Sequence, residues 1–422
     1  MDSTVTTGTT ATEQTVRPPV PPELTERTDP FEPPRAVREL AEQGPVHRMT
    51  MRTGDQFWLV TGYDEARSTL SDARFSADRF RNEGMLRHMA EEYRERLRDE
   101  RTRAGSFIAM DPPEHTRYRR LLTGQFTVRR MRDLVPRVEQ FVTERLDAML
   151  AAGTTADLVP AFALPVPSLV ICELLGVPYA DRAEFQRRSA TLLKMNAHVE
   201  DVIAASDALR EFMRRLIADK REHPADDLIS GLIHHSAADP ALTDDELVNI
   251  ANLLLVAGHE TTANMLALGT FALLERPEQL AALRADPARV DEAVEELLRY
   301  LSIIHLGLFR FPTEDVELAG ERIPAGATVV ISVLAANRDA GHWPEPEVLD
   351  LARGRGPHLA FGHGVHQCLG QQLARVEMAV GFTHLLRRLP NLRLAVPASE
   401  IPLRNDMFIY GVHSLPVAWD AA

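Results

Sequence analysis

The run Phe361-Gly362-His363-Gly364-Val365-His366-Gln367-Cys368-Leu369-Gly370 places one thiol in a glycine-rich loop. Helix-forming residues follow at once, Gln371-Gln372-Leu373-Ala374-Arg375-Val376-Glu377. A sulfur at that point faces the positive end of the helix, which favours the thiolate. Gly362, Gly364 and Gly370 remove side chains around it, so a flat, bulky group could approach closely. Two plainer readings compete. A lone cysteine is often a small apolar core residue. His363, His366 and Cys368 could also begin a zinc site, but no second Cys/His pair stands at zinc spacing.

Composition narrows the class. The chain has 422 residues, enough for a large core. Its two cysteines argue against a disulfide framework and a secreted scaffold. Cys172, in Leu169-Val170-Ile171-Cys172-Glu173-Leu174-Leu175, reads as a packed core thiol. The net charge of −14 argues against nucleic-acid affinity. No apolar run has the length of a membrane anchor or the form of a signal peptide, which points to a cytoplasmic protein. Residues 1–30, Thr-rich and then Pro-rich, read as a flexible tail, and 31–422 as one domain.

Most of the chain has helical periodicity. Val46–Met51 and Phe57–Thr61 read as a hairpin, residues 79–106 as a mobile loop with a short helix, and 313–333 as further β-structure. Asp111-Pro112-Pro113 reads as a helix start capped by Asp111. A long helix begins at the capping box Thr243-Asp244-Asp245-Glu246 and runs to about Glu275. It is apolar nearly all round, so it is expected to be buried. Inside it stands the polar cluster Gly258-His259-Glu260-Thr261-Thr262. A buried carboxylate needs a partner, water or a role. Glu260 paired with an arginine and Thr261 bonded back to a carbonyl would satisfy the chemistry without any function.

The loop F-G-x-G-x-H-x-C-x-G resembles the heme-ligand loop of the cytochrome P-450 family, and four further matches stand in the family's order. Ala257-Gly258-His259-Glu260-Thr261-Thr262 is similar to its oxygen-activation motif. Glu296-Leu297-Leu298-Arg299 matches E-x-x-R, and Pro346–Arg353 follows as the partner segment. His115-Thr116-Arg117-Tyr118-Arg119 matches the family's propionate-binding helix. The segment departs from the family pattern at Leu349, where Phe is usual, and at Ala340, where Pro is frequent.

The resemblance covers about residue 31 to the C-terminus. It implies a mainly α fold with a smaller β region and a long central helix over the heme. Cys368 would ligate the iron of heme b (iron protoporphyrin IX) within a cradle of Phe361, Gly362 and Gly370. His115, Arg119, Arg310 and His366 would meet the propionates. Ala257 and Gly258 would leave room for dioxygen, Thr261 would hold the hydrogen-bond network serving it, and Glu260 would relay protons. Glu296, Arg299 and Arg353 would brace the core. The implied activity is monooxygenation of a hydrophobic small molecule by O2, as hydroxylation or epoxidation. Electrons would come from NAD(P)H through a ferredoxin reductase and ferredoxin. The segments Leu122–Met131 and Leu254–Met265 look most like those of actinomycete enzymes, many of which oxidise macrolides or other secondary metabolites. The alternative is a heme-binding protein without turnover, which would not need Glu260 and Thr261. Specificity is expected in 79–109, 172–200, 303–309 and 406–411, with His259. Met85, Leu86, Leu192, Leu193, Met195, Leu306, Leu308, Phe408 and Ile409 are its apolar candidates. Arg117, Arg119, Arg120, Arg129, Arg130 and Arg132, with Arg353, Arg355 and Arg375 flanking the cysteine loop in sequence, suggest a basic face for an acidic ferredoxin, without Arg119 where it meets a propionate.

Overall fold

The computed structural model describes residues 21–51, 54–87, 89–236 and 242–421. The apolar helix found in the sequence runs from Asp244 to Leu274. Its capping box is formed: Thr243 accepts from the Glu246 amide, and Glu246 accepts from the Thr243 amide. At 31 residues and about 1.5 Å each, it spans roughly 45 Å. It packs along helices Pro165–Leu175, Val199–Glu222 and Gln371–Arg388, and this contact buries most of its surface.

Glycines set how closely the central helix meets the helix that follows Cys368. A Cβ on Gly269 would stand 2.8 Å from the Phe382 ring, and one on Gly381 would stand 2.8 Å from Leu266. Each helix thus receives a large side chain of the other where it carries none itself, in the manner of ridges entering grooves.

The β-structure gathers five strands in the order Val46–Thr50, Gln56–Val60, Thr328–Ile331, Leu308–Pro312, Phe75–Ser76. The first pair is antiparallel, with Val46 opposite Val60. Gln56–Val60 runs parallel to Thr328–Ile331, which takes Leu308–Pro312 antiparallel on its other side. Both hairpin strands read from the sequence are present within a residue of their predicted ends.

Three expectations are corrected. Residues 1–20 lie outside the described residues, but 21–30 belong to the body of the fold. Leu24 and Arg27 are buried, Arg27 lies 3.6 Å over the Tyr410 ring, and its amide donates to Asn405. Residues 79–106 hold three short helices besides a single turn, Glu83–Leu86, Glu91–Arg98 and Glu100–Arg103. Asp111 does not cap the next helix, Glu114–Thr123. Its carboxylate accepts instead from the Ala77 amide at 2.8 Å and from the Ser76 hydroxyl.

The most heavily bonded charge in the core is Arg299, 1% exposed. Glu296 takes two of its N–H groups, at 2.7 and 2.8 Å, and the carbonyls of Asn337, Pro346 and Val348 take the rest. That uses all five donors of the guanidinium. Glu296 also accepts from Arg353 at 3.1 Å and from the Asp350 amide at 3.0 Å. Leu349 sits buried in this segment, and Ala340 is exposed. Breaking a buried pair by removing one charge typically costs about 3–5 kcal/mol. Glu296→Gln is therefore expected to lower the midpoint of chemical denaturation by an amount of that order. Glu292→Gln, whose carboxylate is exposed, should leave the midpoint near wild type.

Candidate active site

Two adjoining cavities lie beneath the central helix. The inner one, about 300 Å³, separates the cysteine loop from the helix. Phe361, Gly362, His366, Cys368 and Gly370 line one side; Ala257, Gly258 and Thr261 line the other. The Cys368 amide donates to Phe361 O at 2.8 Å, closing the loop on itself. Gly362 and Gly364 take φ of 69° and 72°, a region that suits glycine. Burial pushes the Cys368 thiol up. The amides of Gly370 and Gln371, at the helix start, and the charges of Arg119 and Arg375 act the other way. The sulfur therefore lies where the sequence put it, at the positive end of Gln371–Arg388.

At one edge of the inner cavity His115, Arg119, Arg310 and His366 converge. The His115 and His366 rings are 4.2 Å apart. Both ring nitrogens of His115 are buried without a partner. Burial, with Arg310 and His115 beside it, pushes His366 down to about 3. Burial lowers Arg310 to about 10. Among the described residues the guanidinium groups of Arg119 and Arg310 meet only carbonyls, of Gln367 at 2.7 Å and Phe309 at 2.8 Å. The cluster thus holds more donors than acceptors, and an anionic group would complete it.

On the central helix, Thr261 donates to Ala257 O at 3.0 Å. Glu260 is 3% exposed, accepts from Arg404 at 3.2 Å and has His259 3.9 Å away. The two non-functional bonds considered for this pair are thus both present. Gly258 has a packing reason of its own: a Cβ there would stand 2.6 Å from Ile171. Its missing side chain therefore admits Pro165–Leu175, while Ala257 faces the open space of both cavities. His259 lines neither cavity; it is buried against Phe185, its ring nitrogen 2.6 Å from Leu255 O.

The outer cavity, about 740 Å³, opens from the inner one beside Ile108, Leu253, Ala257, Thr261 and Ile304. All four stretches expected to set specificity contribute to it. Leu192, Leu193, Met195, Leu306, Phe408 and Ile409 line it, and Leu308 lines the inner cavity. Leu86 is buried but lines neither, and the Met85 side chain lies outside the described ones. Sequence reasoning missed Arg404, which has no motif around it. It also missed the wall formed by Pro21, Pro22, Leu24 and Thr25, hidden by a composition typical of tails.

A profile of the family described as Cytochrome P-450 matches residues 185–412. The chain is 51% identical to Cytochrome P-450 105C1 of a Streptomyces species, over 92% of this chain and 96% of that one. The chain belongs to the cytochrome P-450 family. It is 47% identical to pentalenic acid synthase of Streptomyces avermitilis, over 92% of this chain and 95% of the other. Among solved structures it superposes on Rif16 with a TM-score of 0.83 at 63% identity, covering 95% of this chain and all of Rif16. It is accordingly a P-450 monooxygenase with a heme cofactor, of a kind whose relatives serve actinomycete secondary metabolism. No helix among the described residues is long and apolar enough to cross a membrane.

The residues present fit a heme. The inner cavity separates a buried thiol from a helix face, and the unpartnered donors at its edge suit two carboxylates. Reduced protein under CO is expected to show the strongly red-shifted absorption band of thiolate-ligated heme. Cys368→Ala should abolish that band, and Cys172→Ala should leave it.

Proposed function

We propose that the chain binds heme b through Cys368, with His115, Arg119, Arg310 and His366 on the propionates. We further propose that it oxidises a macrolide- or polyketide-type secondary metabolite in the bacterial cytoplasm. The outer cavity supports the substrate reading: it is large, walled mainly by apolar side chains, and adjoins the face of the inner cavity opposite Cys368. Residues 31–422 act as the single catalytic domain in this reading, with 21–30 contributing wall.

Bound heme supplies the iron at which O2 is reduced, so that one oxygen atom enters the substrate and the other leaves as water. The balance needs two electrons and two protons, and the chain's task is to deliver the protons without flooding the site. One observation carries the assignment of that task. Glu260 lines the outer cavity on one side of the central helix and, on the other, a third cavity of about 530 Å³. Arg404, Asp406 and His413 also line the third cavity. Glu260, like Asp406, thus borders both spaces, and it is next in sequence to the Thr261 hydroxyl. A carboxylate that rotates off Arg404 toward Thr261 moves a proton between them. At rest the Arg404 guanidinium holds the Glu260 carboxylate at 3.2 Å. A silent heme binder has no use for such a junction.

Thr261→Ala is expected to retain heme and substrate binding yet release peroxide, lowering product formed per NAD(P)H by several-fold. Glu260→Gln should slow turnover with less loss of coupling. Unchanged coupling in Thr261→Ala removes the hydroxyl from the mechanism.

Electrons are proposed to arrive from NAD(P)H through a ferredoxin reductase and a ferredoxin. The arginines proposed for docking fall into two groups. Arg375 is tied to Glu295 at 2.5 Å, Arg353 to Glu296 at 3.1 Å and Arg355 to Asp291 at 3.2 Å. Hydrogen bonds from His358 and Arg375 outweigh burial and hold Glu295 down to about 2, so Arg375 keeps its partner throughout the working pH range. Arg120, Arg129 and Arg132 are exposed, and among the described residues no ion pair engages them. Arg120 follows Arg119, which donates to Gln367 in the cysteine loop. Arg120→Glu is expected to slow first-electron transfer from ferredoxin and flatten its dependence on ionic strength, with substrate affinity unchanged. Stopped-flow reduction across a salt series measures both.

A further inference from the structure

The outer cavity is walled mainly by apolar side chains, yet Arg79 reaches into it. The single helical turn Arg79–Arg81 is pinned at both ends. Asp78 caps it by accepting from the Phe80 amide at 3.0 Å, and the Ser76 hydroxyl accepts from the Asp78 amide at 3.0 Å. The Asn82 side chain donates to Gly326 O at 2.8 Å. The backbone therefore aims this side chain with little freedom. Arg79 is exposed, and the nearby protein lowers its pKa by desolvation.

Nothing in the wall completes it. Asp78 is engaged by Arg103 at 3.1 Å, and Asp111 by Ala77 and Ser76. Glu260 is held by Arg404, and Asp406 meets His413 at 2.8 Å. Glu26 also lines the cavity, and among the described residues it makes no ion pair with Arg79. Among the described residues no hydrogen bond or ion pair reaches the guanidinium, and the Phe80 ring lies 5.5 Å from it. Its planar fork is suited to a carboxylate, which it meets with two parallel bonds.

We propose that Arg79 anchors an acidic group of the substrate, so that the molecule oxidised is a large hydrophobe bearing a carboxylate. The apolar body fills the cavity, and the acid at Arg79 sets which carbon faces the inner cavity. The inference rests on the monooxygenase reading above and narrows its substrate class.

The test uses the heme-loaded protein and two acid–ester pairs: hexadecanoic acid with its methyl ester, and dehydroabietic acid with its methyl ester. Dissociation constants are read from the heme absorption shift on binding. A charged hydrogen bond sheltered from bulk water is worth roughly 10- to 100-fold in affinity. Wild type is expected to bind at least one acid tighter than its ester by that factor. Arg79→Gln should bring the ratio near one while leaving ester binding unchanged, and Arg79→Lys should restore part of it. Acids that bind no tighter than their esters overturn the proposal, as does an Arg79→Gln variant that keeps the ratio. The CO band separates the two readings. Its absence from wild type would defeat heme–thiolate ligation, whereas with the band intact the ratio speaks to Arg79 alone.

Discussion

Five hydrogen bonds on one buried guanidinium tie the cysteine loop to the helical body. Arg299 is held by Glu296 on its own helix and takes the Asn337 carbonyl. The Asn337 side chain then accepts from the Leu359 amide at 2.7 Å. Leu359 O accepts from Gly362, and Phe361 O accepts from Cys368, each at 2.8 Å. The sulfur is thus positioned by a continuous path of bonds that begins at a charge with no access to water. The neighbouring Glu295 adds a second tether through His358 and Arg375, the latter on the helix that follows the cysteine. A buried ion pair is poor evidence of added stability. Here its use is geometric: it fixes the glycine-rich loop that carries the sulfur.

The opposite wall obeys a different constraint. The central helix is buried along most of its length, so its polar residues must be satisfied locally. Thr261 bonds back to Ala257, Asn264 to Glu260 O and Thr270 to Leu266. Glu260 alone among these carries a charge, and it reaches outside the helix to Arg404. Resting satisfaction and catalytic use are compatible, because each of these bonds is broken by rotation of one side chain without disturbing the backbone ladder.

The two cavities differ in what they lack. The inner one has surplus donors at its edge, which matches the two carboxylates of a heme. The outer one has a large apolar wall and a single oriented guanidinium. In both places the protein supplies positive charge without a partner, at a desolvation cost that an anionic guest offsets.

Much of this was legible in the order of residues. The cysteine loop, the capped apolar helix, the E-x-x-R pair and the hairpin are local patterns, and local patterns follow from spacing and backbone preference. The stretches that form the outer cavity were also recognisable, because they carry no motif and lie between elements that do. Other features depended on contacts distant in sequence. The partner of Glu260 lies 144 residues away at Arg404. The docking of Pro21–Pro30 rests on Asn405 and Tyr410. The reason for Gly258 is Ile171, and the tether that removes Arg375 from a docking face is Glu295. A periodicity cannot reveal such pairs, since charge pairing and close packing act through space. The sequence determined which chemistry this protein carries; only the tertiary structure decided which of its charged groups are already engaged and which await a guest.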